Sequence, residues 1–259
     1  MNKKFVTALT AATLTASLFN VSAPVTVKAA AEDFSLTLLH SNDTHANLDN
    51  IAKKVTLVNK LREENPNNLL VDAGDVFSGT LYFNEFKGLA DLDFMNMMNY
   101  DAMTFGNHEF DLGDSADGHK ALAEFVKKAE FPLISANTNF AADPLFAGLQ
   151  NAGFGGNDES GEIFDGIIKE VDGEKIGIFG LTTAETEFIS SPKAVQFTDY
   201  IAEAKAAVAY FEGQDVNKIV ALTHLGFDDA YDNDLSLAKA VPEIDVIVGG
   251  HTHSKLDSG

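Results

Sequence analysis

Short apolar runs alternate along the chain with segments whose apolar residues recur at helical spacing. The runs Phe34–Leu39, Leu69–Val71 and Asp101–Phe105 have the character of strands, and Asn50–Glu64 has the spacing of a helix. A turn at Asp172-Gly173 between two more strand-like runs predicts a hairpin, and therefore a mixed or doubled sheet. The alternation as a whole predicts an α/β fold with helices covering the sheet.

The rest of the chain continues this pattern. The other predicted elements are helices over Glu85–Met98, Ala116–Ala129, Tyr200–Phe211 and Leu235–Ala240, strands over Phe131–Ser135, Ile167–Val171, Lys175–Gly180, Lys218–Leu222 and Ile244–Val248, and an irregular loop over Asp143–Gly161. Because phenylalanine is abundant throughout, we expect Phe77, Phe83 and Phe86 to pack in the core rather than line a cleft. The acidic residues of 228–234 predict a solvated loop, with a weak calcium site as the alternative.

Side chains that bind metals follow five of the strand-like runs. The five segments are Asp43-Thr44-His45, Gly74-Asp75, Gly106–Asp111, Thr223-His224 and Gly249–His253. In open α/β sheets, ligands bind outside the carboxyl ends of the strands, so these segments are expected to converge there. The two histidines outside them, His40 and His119, are expected to be ordinary residues.

The chain has no cysteine, so a metal here must be held by His, Asp, Glu and Asn. These ligands suit Zn, Mn or Fe, and two such ions need a bridging carboxylate, for which Asp75 is the candidate. In extended backbone, residues two apart point the same way. Asp43 and His45 are therefore expected to bind one ion together, and His251 and His253 to present their imidazoles to one spot.

The third segment offers both a ligand and a catalytic pair. Asn107 can supply a neutral carbonyl oxygen, and its neighbour His108 should point elsewhere, towards a substrate. Asp111 could orient the His108 imidazole and raise its basicity. Glu109 has no inferred ligand role and is expected to be structural.

The five ordered motifs resemble those of calcineurin-like metallophosphoesterases. Within that superfamily, the amino-acid sequences of three segments are similar to those of the bacterial 5′-nucleotidase family: Leu39–His45, Gly106–Asp111 and Gly249–His253. The resemblance covers about residues 36–256. It implies a four-layer α/β/β/α fold with two mixed sheets, and an enzyme that hydrolyses phosphoric esters of nucleotides with two divalent metal ions.

Carried over residue by residue, the resemblance assigns two metal sites and a catalytic pair. One ion would be held by Asp43, His45, Asp75 and His253, and the other by Asp75, Asn107, His224 and His251. A hydroxide bridging the two metals would attack phosphorus in line. His108, paired with Asp111, would stabilise the transition state or protonate the leaving oxygen.

The resemblance also implies substrates and alternatives. The first expectation is a 5′-nucleotidase of nucleotide catabolism, with a UDP-sugar hydrolase or a 2′,3′-cyclic-nucleotide phosphodiesterase as the alternative. Members of the family carry a second, nucleoside-binding domain that this sequence lacks, so residues 31–259 are expected to be a catalytic domain truncated at its C-terminal end. A secreted metal-binding fragment without turnover is therefore the third hypothesis. The oligomeric state is unreadable from the sequence.

Charge and the first thirty residues bear on location and partners. The formal net charge is −21, which disfavours binding to nucleic acid and leaves small phosphate esters as expected partners. Lys3-Lys4, an apolar stretch and Val27-Lys28-Ala29 have the layout of a signal peptide over residues 1–30, and predict export. An uncleaved membrane anchor is the alternative, but the stretch is Thr- and Ser-rich and shorter than the ~20 residues a span needs.

Overall fold

The computed structural model describes residues 34–151, 153–155 and 160–256, so the predicted signal peptide lies outside the described residues. The strands are β1 (Thr37–Ser41), β2 (Asn68–Asp72), β3 (Ala102–Met103), β4 (Leu133–Ile134), β5 (Thr138–Asn139), β6 (Phe154–Gly155), β7 (Ile163–Phe164), β8 (Gly166–Val171), β9 (Glu174–Thr182), β10 (Gln196–Phe197), β11 (Ile219–His224) and β12 (Val246–Val248). The helices are α1 (Ile51–Glu64), α2 (Leu81–Phe86), α3 (Leu89–Met97), α4 (Lys120–Lys128), α5 (Thr186–Ile189), α6 (Tyr200–Gly213) and α7 (Asp234–Ala240), with 3-10 turns at His108–Asp114 and Pro144–Phe146.

Two five-stranded sheets form the centre of the fold. The first has the order β1-β2-β3-β4-β7, and its described pairings are parallel throughout. The second has the order β12-β11-β9-β8-β6 and is mixed, because the β8–β9 pair is antiparallel. The mixed character predicted for both sheets therefore belongs to the second alone among the described strands. The difference arises because α1, then α2 and α3, then α4 connect successive strands of the first sheet, whereas a tight hairpin joins two strands of the second.

Three apolar clusters define four layers, as predicted. Leu70 of β2 packs with Val58 of α1 and Phe125 of α4 on the outer face of the first sheet. Its neighbours Leu69 and Val71 point the opposite way, because side chains alternate along a strand, and they pack against the second sheet. Helices α6 and α7 cover the outer face of that second sheet. The order of layers is therefore helix, sheet, sheet, helix.

The predicted hairpin is present, with β8 and β9 paired from Gly166–Phe179 to Val171–Glu174. Asp172 and Gly173 have φ values of 50° and 81°, the left-handed conformations that a two-residue type I′ turn requires. Among the described residues, no helix combines the length and the apolar character needed to cross a bilayer.

The prediction of a single helix over Glu85–Met98 is wrong. Helix α2 ends at Phe86, and Lys87 and Gly88 follow with φ values of 54° and 86° before α3 begins. A Cβ on Gly88 would overlap the Phe77 ring, so this close approach requires glycine. Phe77 and Phe83 are buried as expected, but Phe86 is 48% exposed at the end of the short helix, so its predicted core position is wrong.

Candidate metal centre and active site

The loops that follow β1 and β2 are bonded to each other along their backbones. The N–H of Asp43 donates to the carbonyl of Gly74 (2.9 Å), and the N–H of His45 donates to the carbonyl of Asp75 (3.0 Å). The N–H of His108, beyond β3, donates to Asp75 Oδ1 (2.8 Å). The ends of three neighbouring parallel strands therefore place their polar side chains around Asp75.

The predicted residues form three overlapping groups, in each of which one ligand atom per residue lies within 4.8 Å of the others. The groups are Asp43, His45 and His253; His45, Asp75 and His108; and Asp75, His224 and His251. Asp75 belongs to two groups, and His45 connects the first group to the second. Asp75 is therefore the residue that could contribute a ligand atom to two neighbouring metal sites.

The group of Asp43, His45 and His253 is the more exposed. His253 Nε2 lies 3.2 Å from Asp43 Oδ1 and 3.2 Å from His45 Nε2. The side chain of His253 is 60% exposed, whereas that of Asp43 is 5% exposed. Three ligand atoms thus face one another, and of the three residues His253 is the exposed one.

In the group of Asp75, His224 and His251, the first two residues are buried, and unpaired polar atoms lie within the group and beside it. His224 donates from Nδ1 to the carbonyl of Ala73 (2.7 Å), which leaves Nε2 as the atom aimed at Asp75 Oδ2, 3.1 Å away. Neither this Nε2 nor Asn107 Oδ1 has a hydrogen-bond partner among the described residues. For His224, the Nε2–Oδ2 contact has the distance of a hydrogen bond but not its angles. Buried polar atoms without partners are costly. A divalent ion fits these nitrogen and oxygen donors and would satisfy both orphaned atoms.

Electrostatics couple His224 to Asp75 in this group, and an ion that binds His224 would have to displace its proton. Burial opposes a charge on His224, but the neighbouring Asp75 carboxylate prevails and raises the pKa of His224 to about 9. Burial also opposes ionisation of Asp75, yet His224 lowers the pKa of Asp75 to about 2. Burial and the charge on His224 lower the pKa of His251, which keeps that imidazole in the neutral form that binds metals.

The ligand residues adopt strained backbone conformations rather than extended ones. Five of the seven predicted ligands have positive φ: Asp43 (49°), His45 (47°), Asp75 (59°), His251 (78°) and His253 (51°). The extended-chain argument is therefore wrong for both pairs. Asp43 and His45 do share a group, through a loop bonded to residues 74–76, but His251 and His253 fall in different groups. Left-handed backbone at residues other than glycine costs about 1–3 kcal/mol each and concentrates at functional sites.

His108 and Asp111 form the predicted pair. His108 Nδ1 lies 2.6 Å from Asp111 Oδ2, and this hydrogen bond raises the pKa of His108 despite partial burial. Burial opposes ionisation of Asp111, but hydrogen bonds from His108, Ser78 and Ser190 lower its pKa overall. The Ser78 and Ser190 hydroxyls donate at 2.5 and 2.8 Å. Asp111 thus holds the imidazole through Nδ1 and leaves Nε2 available to a substrate.

Several residues around the centre were missed by the sequence analysis. Ser78, Ser190 and Glu185, whose carboxylate lies 3.5 Å from His251 Nε2, carry no spacing or motif that could have indicated them. The prediction of a solvated acidic loop is wrong for Asp232 and Asp234, which are buried. They accept hydrogen bonds from the hydroxyls of Thr183 and Thr223 respectively, and these bonds fasten the loop to the ends of β9 and β11.

The other two histidines lie outside the three groups. His40 is exposed on β1. His119 is buried between the Asp143 carboxylate, 2.8 Å from Nδ1, and the carbonyl of Ser191, 3.1 Å from Nε2. Both arrangements agree with the prediction that they are ordinary residues.

Comparison with known proteins identifies the family. Residues 36–255 match the model of the calcineurin-like phosphoesterase family, and the chain belongs to that family. The trifunctional nucleotide phosphoesterase protein YfkN of Bacillus subtilis is 46% identical over 240 residues, which cover 86% of this chain and 16% of that protein. A snake venom 5′-nucleotidase of Crotalus adamanteus is 37% identical over 247 residues, which cover 89% of this chain and 39% of the venom protein.

Solved structures agree with these relatives. The crystal structure of a 5′-nucleotidase precursor from Thermus thermophilus superposes with a TM-score of 0.74 at 39% identity, covering 87% of this chain and 43% of that one. The predicted resemblance to the 5′-nucleotidase family and the predicted fold class are confirmed. The chain spans less than half the length of each of these three relatives.

Proposed function

We propose that this chain hydrolyses phosphate esters of nucleotides in the manner of a 5′-nucleotidase. The observation that carries the proposal is the placement of Asp75 in two adjoining groups of metal-binding side chains, beside the His108–Asp111 pair. Family membership and relatives named as nucleotide phosphoesterases support it. Export is part of the proposal and rests on the leader-like first thirty residues and on the relative named as a venom protein.

Seven residues are proposed to hold two divalent ions. Asp43, His45, Asp75 and His253 would hold the first, and Asp75, Asn107, His224 and His251 the second. When bound, the ions supply Lewis acidity and neutralise charge on the transferred phosphoryl group. The donor set suits zinc, manganese or iron.

The chain's own acid is proposed to be His108. The Asp111 hydrogen bond orients the ring and favours the charged imidazole, so His108 can donate a proton from Nε2 to the leaving oxygen of the substrate. Ser78 and Ser190 hold Asp111 in place from two other segments. The imidazole is about one-third exposed, at 37%, which leaves it accessible to a small phosphate ester.

The test is product release by the purified chain from AMP, UDP-glucose and 2′,3′-cyclic AMP, with Mn²⁺ or Zn²⁺ and a chelator control. We expect chelator-sensitive phosphate release from AMP; chromatography would detect opening of the cyclic ester. His108→Ala should lower turnover by about 10²–10⁴-fold while metals stay bound. His40→Ala, an exposed histidine outside the groups, is the matched control and should leave turnover unchanged.

The alternatives are separated by the same assay. A preference for UDP-glucose or for the cyclic ester would favour the UDP-sugar hydrolase or the phosphodiesterase, and a relative named as trifunctional is one reason to test all three. Two bound metals with no turnover on any substrate would contradict the proposal and favour the metal-binding fragment.

A further inference from the structure

Glu109 is a fully buried carboxylate among the loops that carry the metal-binding side chains. It follows His108 in the 3-10 turn and has no exposed surface. It belongs to none of the groups of potential metal ligands found among the described residues. Burying a carboxylate is expensive unless its oxygens are fully hydrogen-bonded, so its partners show what it does.

Four backbone N–H groups from two loops donate to this carboxylate. Oε2 accepts from the N–H of Asp75 (2.9 Å) and of Gly106 (2.6 Å). Oε1 accepts from the N–H of Val76 (2.8 Å) and of Phe77 (3.0 Å). An ionised carboxylate has about four acceptor positions, and this arrangement uses all of them.

The two loops joined in this way are those that present Asp75 and Asn107. Asp75 has a left-handed backbone with φ of 59°, a conformation that needs surrounding contacts to persist. Gly106 passes so close that a Cβ there would overlap the Asp75 carboxylate. The Glu109 bonds fix the Asp75 backbone relative to position 106, next to Asn107.

We propose that Glu109 is a positioning residue for the dinuclear centre. It sets the distance between the Asp75 carboxylate and the Asn107 amide oxygen by binding the backbones of both loops, without touching metal or substrate. The inference rests on the proposed function for its activity readout, but metal affinity tests it independently of turnover.

The decisive variant is Glu109→Gln, which keeps size and shape. Its amide group would turn two N–H donors towards backbone N–H donors, so the isosteric change should disrupt the arrangement. We expect Mn²⁺ affinity in calorimetric titration to fall by about 10–100-fold, with an unchanged far-ultraviolet circular dichroism spectrum. Glu109→Asp, which keeps an acceptor-only group of shorter reach, should lose less.

A matched control and a second measurement keep the inference testable. Asp91→Asn alters another buried carboxylate outside the metal-binding groups and should leave Mn²⁺ affinity unchanged. Unchanged affinity in a folded Glu109→Gln protein would overturn the inference. If that variant fails to fold, hydrogen exchange of the unaltered chain still decides: the four amides should exchange as slowly as those of β2 and β11, and exchange as fast as in exposed loops would overturn it. If Glu109→Gln loses Mn²⁺ affinity while the unaltered chain shows no turnover on any substrate, the proposed function is refuted and this inference stands.

Discussion

The two halves of the candidate metal centre differ in burial and in how their ligand atoms are satisfied. Around His253 the ligand atoms contact one another, and the His253 side chain is 60% exposed while that of Asp43 is 5% exposed. Around His224 the residues are buried, with 0% exposure for His224, 2% for Asp75 and 4% for Asn107, and two polar atoms lack a hydrogen-bond partner in the described part of the chain.

This difference indicates which half binds an ion more tightly. A buried polar atom without a hydrogen-bond partner costs about 1–3 kcal/mol, and an ion that binds the atom recovers that cost. An exposed imidazole is already solvated and loses rotamer freedom when it ligates. The buried half is therefore the preorganised one, and the exposed half should bind and release its ion more readily.

The largest effect is expected where the two halves share a ligand. Asp75 belongs to the His224 group and to the group of His45 and His108, and it is the proposed ligand of both ions. Asp75→Asn should therefore cost both ions, with affinity falling more than about 100-fold. Metal content after gel filtration measures this, with Asp228→Asn on the exposed loop as the control. Two ions retained by Asp75→Asn would show that the halves are independent.

The next effect concerns the buried half alone. His224→Ala removes a fully buried side chain, its bond to the Ala73 carbonyl and the partner of Asp75. The free energy of unfolding of the metal-free protein should fall by about 2 kcal/mol or more. In a titration with metal, the tighter binding event should disappear. Urea denaturation measures the stability and calorimetric titration measures the metal binding. Unaltered stability would contradict the stabilising role of the buried His224 side chain.

An unpaired buried oxygen outside the centre is expected to behave differently from those within it. Asp91 Oδ2, on α3, also lacks a hydrogen-bond partner among the described residues, and burial raises the pKa of Asp91 to about 7. A folded-state pKa above the unfolded value means that this group destabilises the fold as pH rises from about 4 through 7. Asp91→Asn should therefore gain on the order of 2 kcal/mol at pH 8 and little at pH 4.

Denaturation of both proteins at the two pH values gives the difference directly. Equal stability changes at pH 4 and pH 8 would contradict a raised pKa of Asp91. Metal binding should be unaffected, because Asp91 belongs to none of the groups found. That result would separate ordinary buried carboxylates from those of the centre.

The smallest effect is expected for the exposed half. His253→Ala removes a side chain that is 60% exposed, so the free energy of unfolding should change by less than about 0.5 kcal/mol. The weaker metal-binding event should disappear and the tighter one should remain. Loss of both events would show that the exposed half controls the buried one.

Local sequence patterns correctly predicted the structural elements that are determined by residues close together in the sequence. The hairpin at Asp172-Gly173, helix α1 and most strand positions follow from periodicity and turn chemistry. The break at Lys87-Gly88 depends on the Phe77 ring, which the local helical pattern does not contain. The exposure of Phe86 and the burial of Asp234 likewise depend on distant contacts.

The candidate site shows the same division. The candidate ligand residues could be predicted because they directly follow strands. The left-handed backbone at His251 and His253, however, separates side chains that an extended chain would have brought together. Glu109 was expected to be structural and the structure agrees, but its four backbone donors come from residues up to 34 positions away. No local pattern specifies such a set of bonds.

The measurement that tests the central claim most directly is a calorimetric titration of the metal-free chain with Mn²⁺, alongside His224→Ala and His253→Ala. We expect two ions per chain with two distinct affinities, the tighter absent in His224→Ala and the weaker absent in His253→Ala. A single ion per chain, or loss of the same binding event in both variants, would contradict the division of the centre into a buried and an exposed half.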